Sequence, residues 1–175
     1  KGHIADLAKG GIHGLGIDFN NHFNPKYVIL DDKISIVDSL IQKAKKVDKI
    51  LVASDPDREG EAIAWHLAQR LADTGKPIKR MVFNEITKSS ILKAIDNVRD
   101  INMNLFHAQE ARRILDRIVG FITSPFLMEN FKQTLSAGRV QSVVTRMVID
   151  REREIEAFSP VDFWTINLSV SKDNN

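Results

Sequence analysis

The 175-residue sequence contains no cysteine, which excludes disulfides and cysteine-based zinc sites within these residues and leaves oxygen and histidine as metal donors. No apolar run approaches the roughly 20 residues needed to cross a bilayer, and the first residues read as neither a signal nor a transit peptide. The expectation is a cytoplasmic protein without a membrane partner. An excess of one charge is also missing. The formal net charge of +2 is too small to mark a nucleic-acid binder by itself. No low-complexity tract or fixed-period repeat occurs. With 43% hydrophobic and 27% charged residues, the composition excludes a disordered or collagen-like chain and predicts packed structure throughout. The length suffices for one good core and part of a neighbouring domain. The chain opens at Lys1 without a methionine, and Gly2-His3-Ile4 looks like the middle of a motif, so the sequence reads as a fragment.

What is present falls into distinct stretches. From Gly10 to Pro25, glycine and asparagine recur densely enough to predict a long ordered loop. Tyr27 to Leu30 is β-prone, and Ile34, Val37, Ile41 and Ala44 follow at helical spacing, with Asp31 or Asp32 available as cap. Ile50 to Ala53 reads as a buried strand. A helix then starts near Arg58, with Ile63, Ala64, Leu67 and Leu71 on its inner face. Met81-Val82-Phe83 predicts a further strand, and Thr87 can cap a helix whose inner face holds Ile91, Ile95 and Val98. This alternation favours a parallel α/β sheet. After about residue 100 the β signal ends, and helices are expected from Asn104 to Val119 and from Ala137 to Ala157. Trp164, Ile166, Leu168 and Val170 alternate with polar residues, as a strand with one buried face would.

The densest chemistry lies in Ser54-Asp55-Pro56-Asp57-Arg58-Glu59-Gly60-Glu61, where the second strand ends and its helix begins. The crevice beyond the carboxyl ends of parallel strands is the usual ligand site of such sheets. Asp55 and Asp57 stand two apart in an extended turn and Glu59 in the first helical turn, a set that suits a magnesium ion completed by water and phosphate oxygens. The same residues also suit a simpler purpose. Acidic side chains favour the positive end of a helix dipole, and Asp55 and Pro56 shape its entrance.

Asp55-Pro56-Asp57-Arg58-Glu59-Gly60-Glu61-Ala62-Ile63-Ala64-Trp65-His66-Leu67 closely resembles the acidic signature of the Toprim domain in bacterial type IA DNA topoisomerases. Further words resemble that family in the same order: Phe83 to Lys88, Ala108 to Gly120, Leu135 to Ser142 and Asp150 to Ile155. The likeness extends over residues 2 to 168. It implies an α/β Toprim fold over residues 1–100, a Rossmann-like parallel sheet lacking its first strand. A mainly helical single-strand DNA-binding domain over 101–158 would follow, then the first strand of a further domain over 159–175. The implied activity is relaxation of negatively supercoiled DNA through a transient single-strand break and a 5′-phosphotyrosine link, dependent on Mg2+ and independent of ATP. Asp55, Asp57 and Glu59 would be the catalytic and metal-holding residues, and Arg58 could be structural. Two family features are missing: a glutamate and a lysine that precede the Gly2-His3 pair, and the nucleophile of a later domain. The sole tyrosine, Tyr27, lies in a stretch resembling a different part of the family and has no activating group near it in sequence. The chain alone is therefore expected to be inactive in cleavage.

Between Ala111 and Arg146, six basic side chains stand against two acidic ones, a local excess that can attract phosphate. Ala108, Ala111, Leu115 and Ile118 are expected to pack inward, leaving Gln109, Arg113, Asp116 and Arg117 opposite. Arginine can fork onto phosphate and stack on a base. Arg112 and Asp116 stand four apart, as do Arg113 and Arg117, and spacing alone favours a salt-bridged solvated face. The resemblance places Arg112, Arg113 and Asp116 beside single-stranded DNA, joined by His3 and Arg117. Phe121 stands where relatives usually carry tyrosine, and it keeps base stacking without the hydroxyl. Met128 stands where many carry tryptophan, and it makes a smaller, more adaptable contact. Ser136, Ala137, Gly138, Arg139, Val140 and Gln141 resemble a turn entering a helix, whose end can bind phosphate or serve only as a cap.

The expected partner is the single-stranded segment of negatively supercoiled DNA, bound by a monomer associated with the nucleoid. Two other readings use the same residues. A Toprim nuclease or primase could employ the acidic turn, although the arginine helix and the Ser136 to Gln141 word argue against it. A noncatalytic single-strand DNA-binding module would bind with an affinity that falls as salt rises.

Overall fold

The computed structural model describes residues 2–11, 14–170 and 172, which form two compact units, Lys1–Gly138 and Arg139–Asn175. The first unit opens with β1 (Ala5–Leu7), β2 (Ile17–Asp18), β3 (Asn24–Pro25) and β4 (Tyr27–Ile29). β2 and β3 pair as a two-residue hairpin inside the expected loop. Gly16 is required there: its φ is +67°, and a Cβ would collide with the Ala8 carbonyl. β4 falls where the sequence predicts it but does not join the parallel sheet. It pairs antiparallel with β1, Asp6 opposite Val28. The partner comes from a segment whose three-residue length gives no period to read.

α1 (Ile34–Ala44) buries Val37 and Ala44 as its spacing predicts. Neither Asp31 nor Asp32 caps it. They lie in a preceding 3-10 turn, and Asp32 pairs with Lys33 instead. β5 (Ile50–Ala53) leads into α2 (Arg58–Leu71), and β6 (Ile78–Met81) pairs parallel with β5, Val52 beside Arg80. The third predicted strand therefore sits three residues upstream of Met81-Val82-Phe83. The ladder is entered where the Ile50 amide donates to the Pro77 carbonyl, 2.9 Å, and the charged Lys79-Arg80 pair disguised it. α3 (Lys88–Asp96) is capped by Thr87, whose hydroxyl accepts from the Ser90 amide. Its buried residue is Ala94, whereas Ile95 is exposed.

α4 (Met103–Phe131) is far longer than predicted, running past Gly120 and Pro125 to a left-handed Lys132. Asn102 caps it by accepting from the Asn104 and Leu105 amides. It packs on α2 through stacked Trp65 and Phe106, ring centroids 4.1 Å apart. Of the expected inward face, Ile118 packs against a core and the other three residues do not. Phe106 and Gln109 are buried while Ala108, Ala111 and Leu115 are exposed, because the helix is oriented by an aromatic stack and by polar contacts described below. The Tyr27 ring lies against both small cores, one around Ile4, Ala5 and Val37, the other around Leu7, Leu15 and Ile17.

The second unit holds α5 (Arg139–Glu156), which begins two residues later than predicted and has no buried residue. Over 159–170 no regular element forms. Trp164 and Ile166 are each 92% exposed, so the predicted strand is not made. Alternation supplies one face of a strand, but a ladder needs a partner, and the described residues offer none. No helix among the described residues is long and apolar enough to cross a membrane.

Candidate functional site

The acidic turn is built from the carboxyl end of β5. Asp57 is the N-cap of α2, its Oδ1 accepting from the Gly60 amide at 2.7 Å. Ser54 Oγ donates to the Gly60 carbonyl at 2.6 Å. Gly60 is obligatory for a steric reason, since a Cβ would run into the Asp55 carbonyl. The backbone beneath is held by Arg80, which sequence reasoning missed. Its Nη2 donates to the Ser54 and Asp55 carbonyls, 2.7 Å each, and its Nη1 to those of Met81 and Val52, 2.7 and 3.2 Å. Its Nε reaches Glu61 Oε2 at 3.2 Å. Glu61 also accepts from Arg99, 2.8 and 2.9 Å, and from the Asn102 amide, 2.6 Å. Burial pushes the Glu61 carboxyl up, but the Arg99 hydrogen bonds, the Asn102 amide and the two guanidinium charges outweigh it and hold it below the usual range. The only hint in the sequence was the place of Arg80 immediately before the predicted Met81-Val82-Phe83 strand.

The three carboxylates assigned to a metal do not converge. Asp55 and Asp57 are exposed, whereas Glu59 turns toward α4, where Oε2 lies 3.2 Å from both His3 Nε2 and Gln109 Nε2. Among the described residues no group of three acidic or histidine side chains is placed to hold a metal ion. A three-carboxylate cradle therefore does not fit this arrangement. Two exposed aspartates on a pinned turn do match the one or two carboxylates that magnesium commonly takes alongside phosphate oxygens.

Glu59 instead belongs to a cavity of about 420 Å3 between β1, α2 and α4. His3, Asp6, Glu59, His66, Gln109, Arg112, Arg113 and Asp116 line it, so four of the predicted DNA-binding residues meet there, with one of the predicted metal ligands. Gln109 was assigned to the outer face and is here buried. A second, more apolar cavity of about 540 Å3 adjoins along α4, lined by Arg113, Asp116, Arg117, Phe121 and Met128 among others. Arg117 Cζ stands 5.1 Å from the Phe121 ring centroid, a cation–π contact. Ser136, Ala137 and Gly138 follow α4, and the Ala137 amide donates to Ser124 Oγ at 2.9 Å. Arg139, Val140 and Gln141 lie in the first turn of α5, in the other unit. Tyr27 is held by Glu110, its hydroxyl donating at 3.4 Å. Burial first, then the Glu110 charge and hydrogen bond, push its pKa far above the ordinary phenol.

A strand that runs through an acidic turn into a helix, with a second strand parallel to the first, is the arrangement of a Toprim domain. Residues 1–86 match the Toprim domain family, and residues 100–175 match a family described as DNA topoisomerase. The fold is similar to full-length topoisomerase I from Thermotoga maritima, with a TM-score of 0.80 and 49% identity over 90% of this chain and 26% of that one. The chain belongs to the bacterial type IA DNA topoisomerases. It spans about a quarter of that relative's length.

Proposed function

We propose that this chain supplies the acidic turn and part of the single-strand groove of an enzyme that relaxes negatively supercoiled DNA by a transient single-strand break, without ATP. The observation that carries this reading is the meeting of His3, Glu59, Gln109, Arg112 and Arg113 in one cavity beside the Arg80-pinned turn. An arginine over an aromatic ring, as Arg117 is over Phe121, suits a flexible strand with unpaired bases better than a duplex. Ser136, Ala137 and Gly138, and separately Arg139, Val140 and Gln141, would also contact DNA.

Asp55 and Asp57 would hold Mg2+, with Glu59 serving the groove. Bound there, the ion would neutralise phosphate charge and orient the leaving oxygen. The 5′-phosphotyrosine link would use a tyrosine other than Tyr27, because Tyr27 is half-buried, engaged by Glu110 and held protonated. The chain by itself would therefore bind strands without cutting them. We also propose a monomer, located with the nucleoid in the cytoplasm, with a Toprim domain over 1–100, a helical domain over 101–158 and the start of another from 159.

Fluorescence anisotropy with labelled single-stranded and duplex oligonucleotides tests the reading. Preferential, salt-sensitive binding of the single strand is expected, with no denaturation-resistant adduct on a gel. Equal affinity for duplex, or a tyrosine-linked adduct, would refute it.

A further inference from the structure

The arginines of α4 are not equally available to a ligand. Asp6, at the centre of β1, accepts from Arg113 Nη2 through both carboxylate oxygens at 2.6 Å, and from Arg113 Nε at 3.0 Å. Arg117 Nη2 reaches the same carboxylate, and the Leu7 carbonyl, at 3.4 Å. The Leu7 amide donates to Asp6 Oδ1 at 2.7 Å, so the carboxylate is also held from its own strand. Arg112 is placed differently. Its nearest acidic oxygens, on Glu59 and Asp116, lie at 3.9 and 3.7 Å, beyond hydrogen-bond reach.

A forked arginine–carboxylate contact fixes the plane of the guanidinium and balances its charge. A phosphate approaching Arg113 would meet the negative oxygens of Asp6. Arg112 keeps a cation on the wall of the same cavity without such a close partner. We propose that Asp6 is a positioning residue that clamps Arg113 and Arg117 against β1, so that Arg112, rather than Arg113, takes the backbone phosphate of the bound strand. The inference rests on the reading of this groove as a single-strand DNA site. The clamp also keeps Arg117 over the Phe121 ring, leaving a platform on which a base can stack. Burial pushes the Asp6 carboxyl up. Hydrogen bonds from Arg113 and Leu7, with the charges of Arg113 and Arg117, overcome this and hold it below the usual range, so the clamp is ionised at neutral pH.

The test is the salt dependence of oligothymidylate binding to the whole chain, wild type against Asp6→Asn. Asparagine keeps the side-chain shape and releases the Arg113 charge, so log K against log salt steepens by about 0.7, the value of one added single-strand phosphate contact. An unchanged or shallower slope with binding intact overturns the clamp and leaves the groove reading standing. Absence of wild-type binding overturns both. Should the variant not fold, arginine Nε–H resonances of the wild-type chain decide during the same titration. The Arg112 signal is expected to move and the Arg113 signal to hold, and the reverse overturns the proposal.

Discussion

Glu61 on α2 and Arg80 on β6 meet at 3.2 Å with both side chains fully buried. Arg80 carries the carbonyls of Ser54 and Asp55, and Glu61 holds Arg99 and the Asn102 amide that precedes α4. One ion pair therefore joins the acidic turn to the start of the groove-bearing helix. A buried charge survives only with full pairing and hydrogen bonding, and both partners have it here.

Glu61→Gln should be strongly destabilising, because it leaves Arg80 buried without a counter-charge. The expected loss is about 3–5 kcal/mol, read by urea denaturation. A loss within the ordinary surface range of about 0.5 kcal/mol would mean that water replaces the carboxylate and that the pair does not organise the turn.

Asp57 should show two separable roles. Asn caps a helix as well as Asp does, so Asp57→Asn should leave thermal stability nearly intact while weakening Mg2+ binding by calorimetric titration. Asp57→Ala should lose the same affinity and, in addition, about 1 kcal/mol of stability. Wild-type Mg2+ affinity in both variants would remove Asp57 from the metal site.

Gly60→Ala should displace the acidic turn without adding charge or polarity. Its Cβ meets Asp55 backbone rather than a mobile side chain. Overpacking of this kind costs about 1–3 kcal/mol, and the melting temperature should fall accordingly. An unshifted melt would show that the turn can move aside.

Stability should fall as pH drops from about 6.5 toward 4, and His66 is the cause. Burial, followed by the charges of His3 and Arg70 and opposed by Asp6, pushes its imidazole down to about 4. The folded state keeps the ring neutral while the unfolded chain accepts a proton below its ordinary value near 6.5. The stabilisation is therefore complete above that value and lost through the window below it, on the order of 3 kcal/mol at most. His66→Gln should flatten denaturation midpoints across this window. A wild-type slope persisting in the variant would assign the effect elsewhere.

Much of the local structure was legible in the sequence because it depends on near neighbours. The helical spacing from Ile34 to Ala44, the Thr87 cap, the strand at Ile50 to Ala53 and the position of the acidic turn follow from periodicity and capping chemistry. The family words located the Toprim domain and the arginine helix, and the structure brings His3, Arg112, Arg113 and Asp116 into one cavity.

The tertiary structure alone decided which side chains are committed to one another. Glu59 looked like a metal ligand and is bound by His3 and Gln109. Arg113 looked like an open phosphate contact and is forked onto Asp6, 107 residues away. Arg80 carried no functional signal in the sequence and is fully buried beneath the turn. A carboxylate in sequence carries its charge but not its partner, and pairing depends on distances of about 3 Å set by strands and helices remote along the chain. The sequence determined the kinds of charged and polar group this protein carries; folding determined which of them remain available.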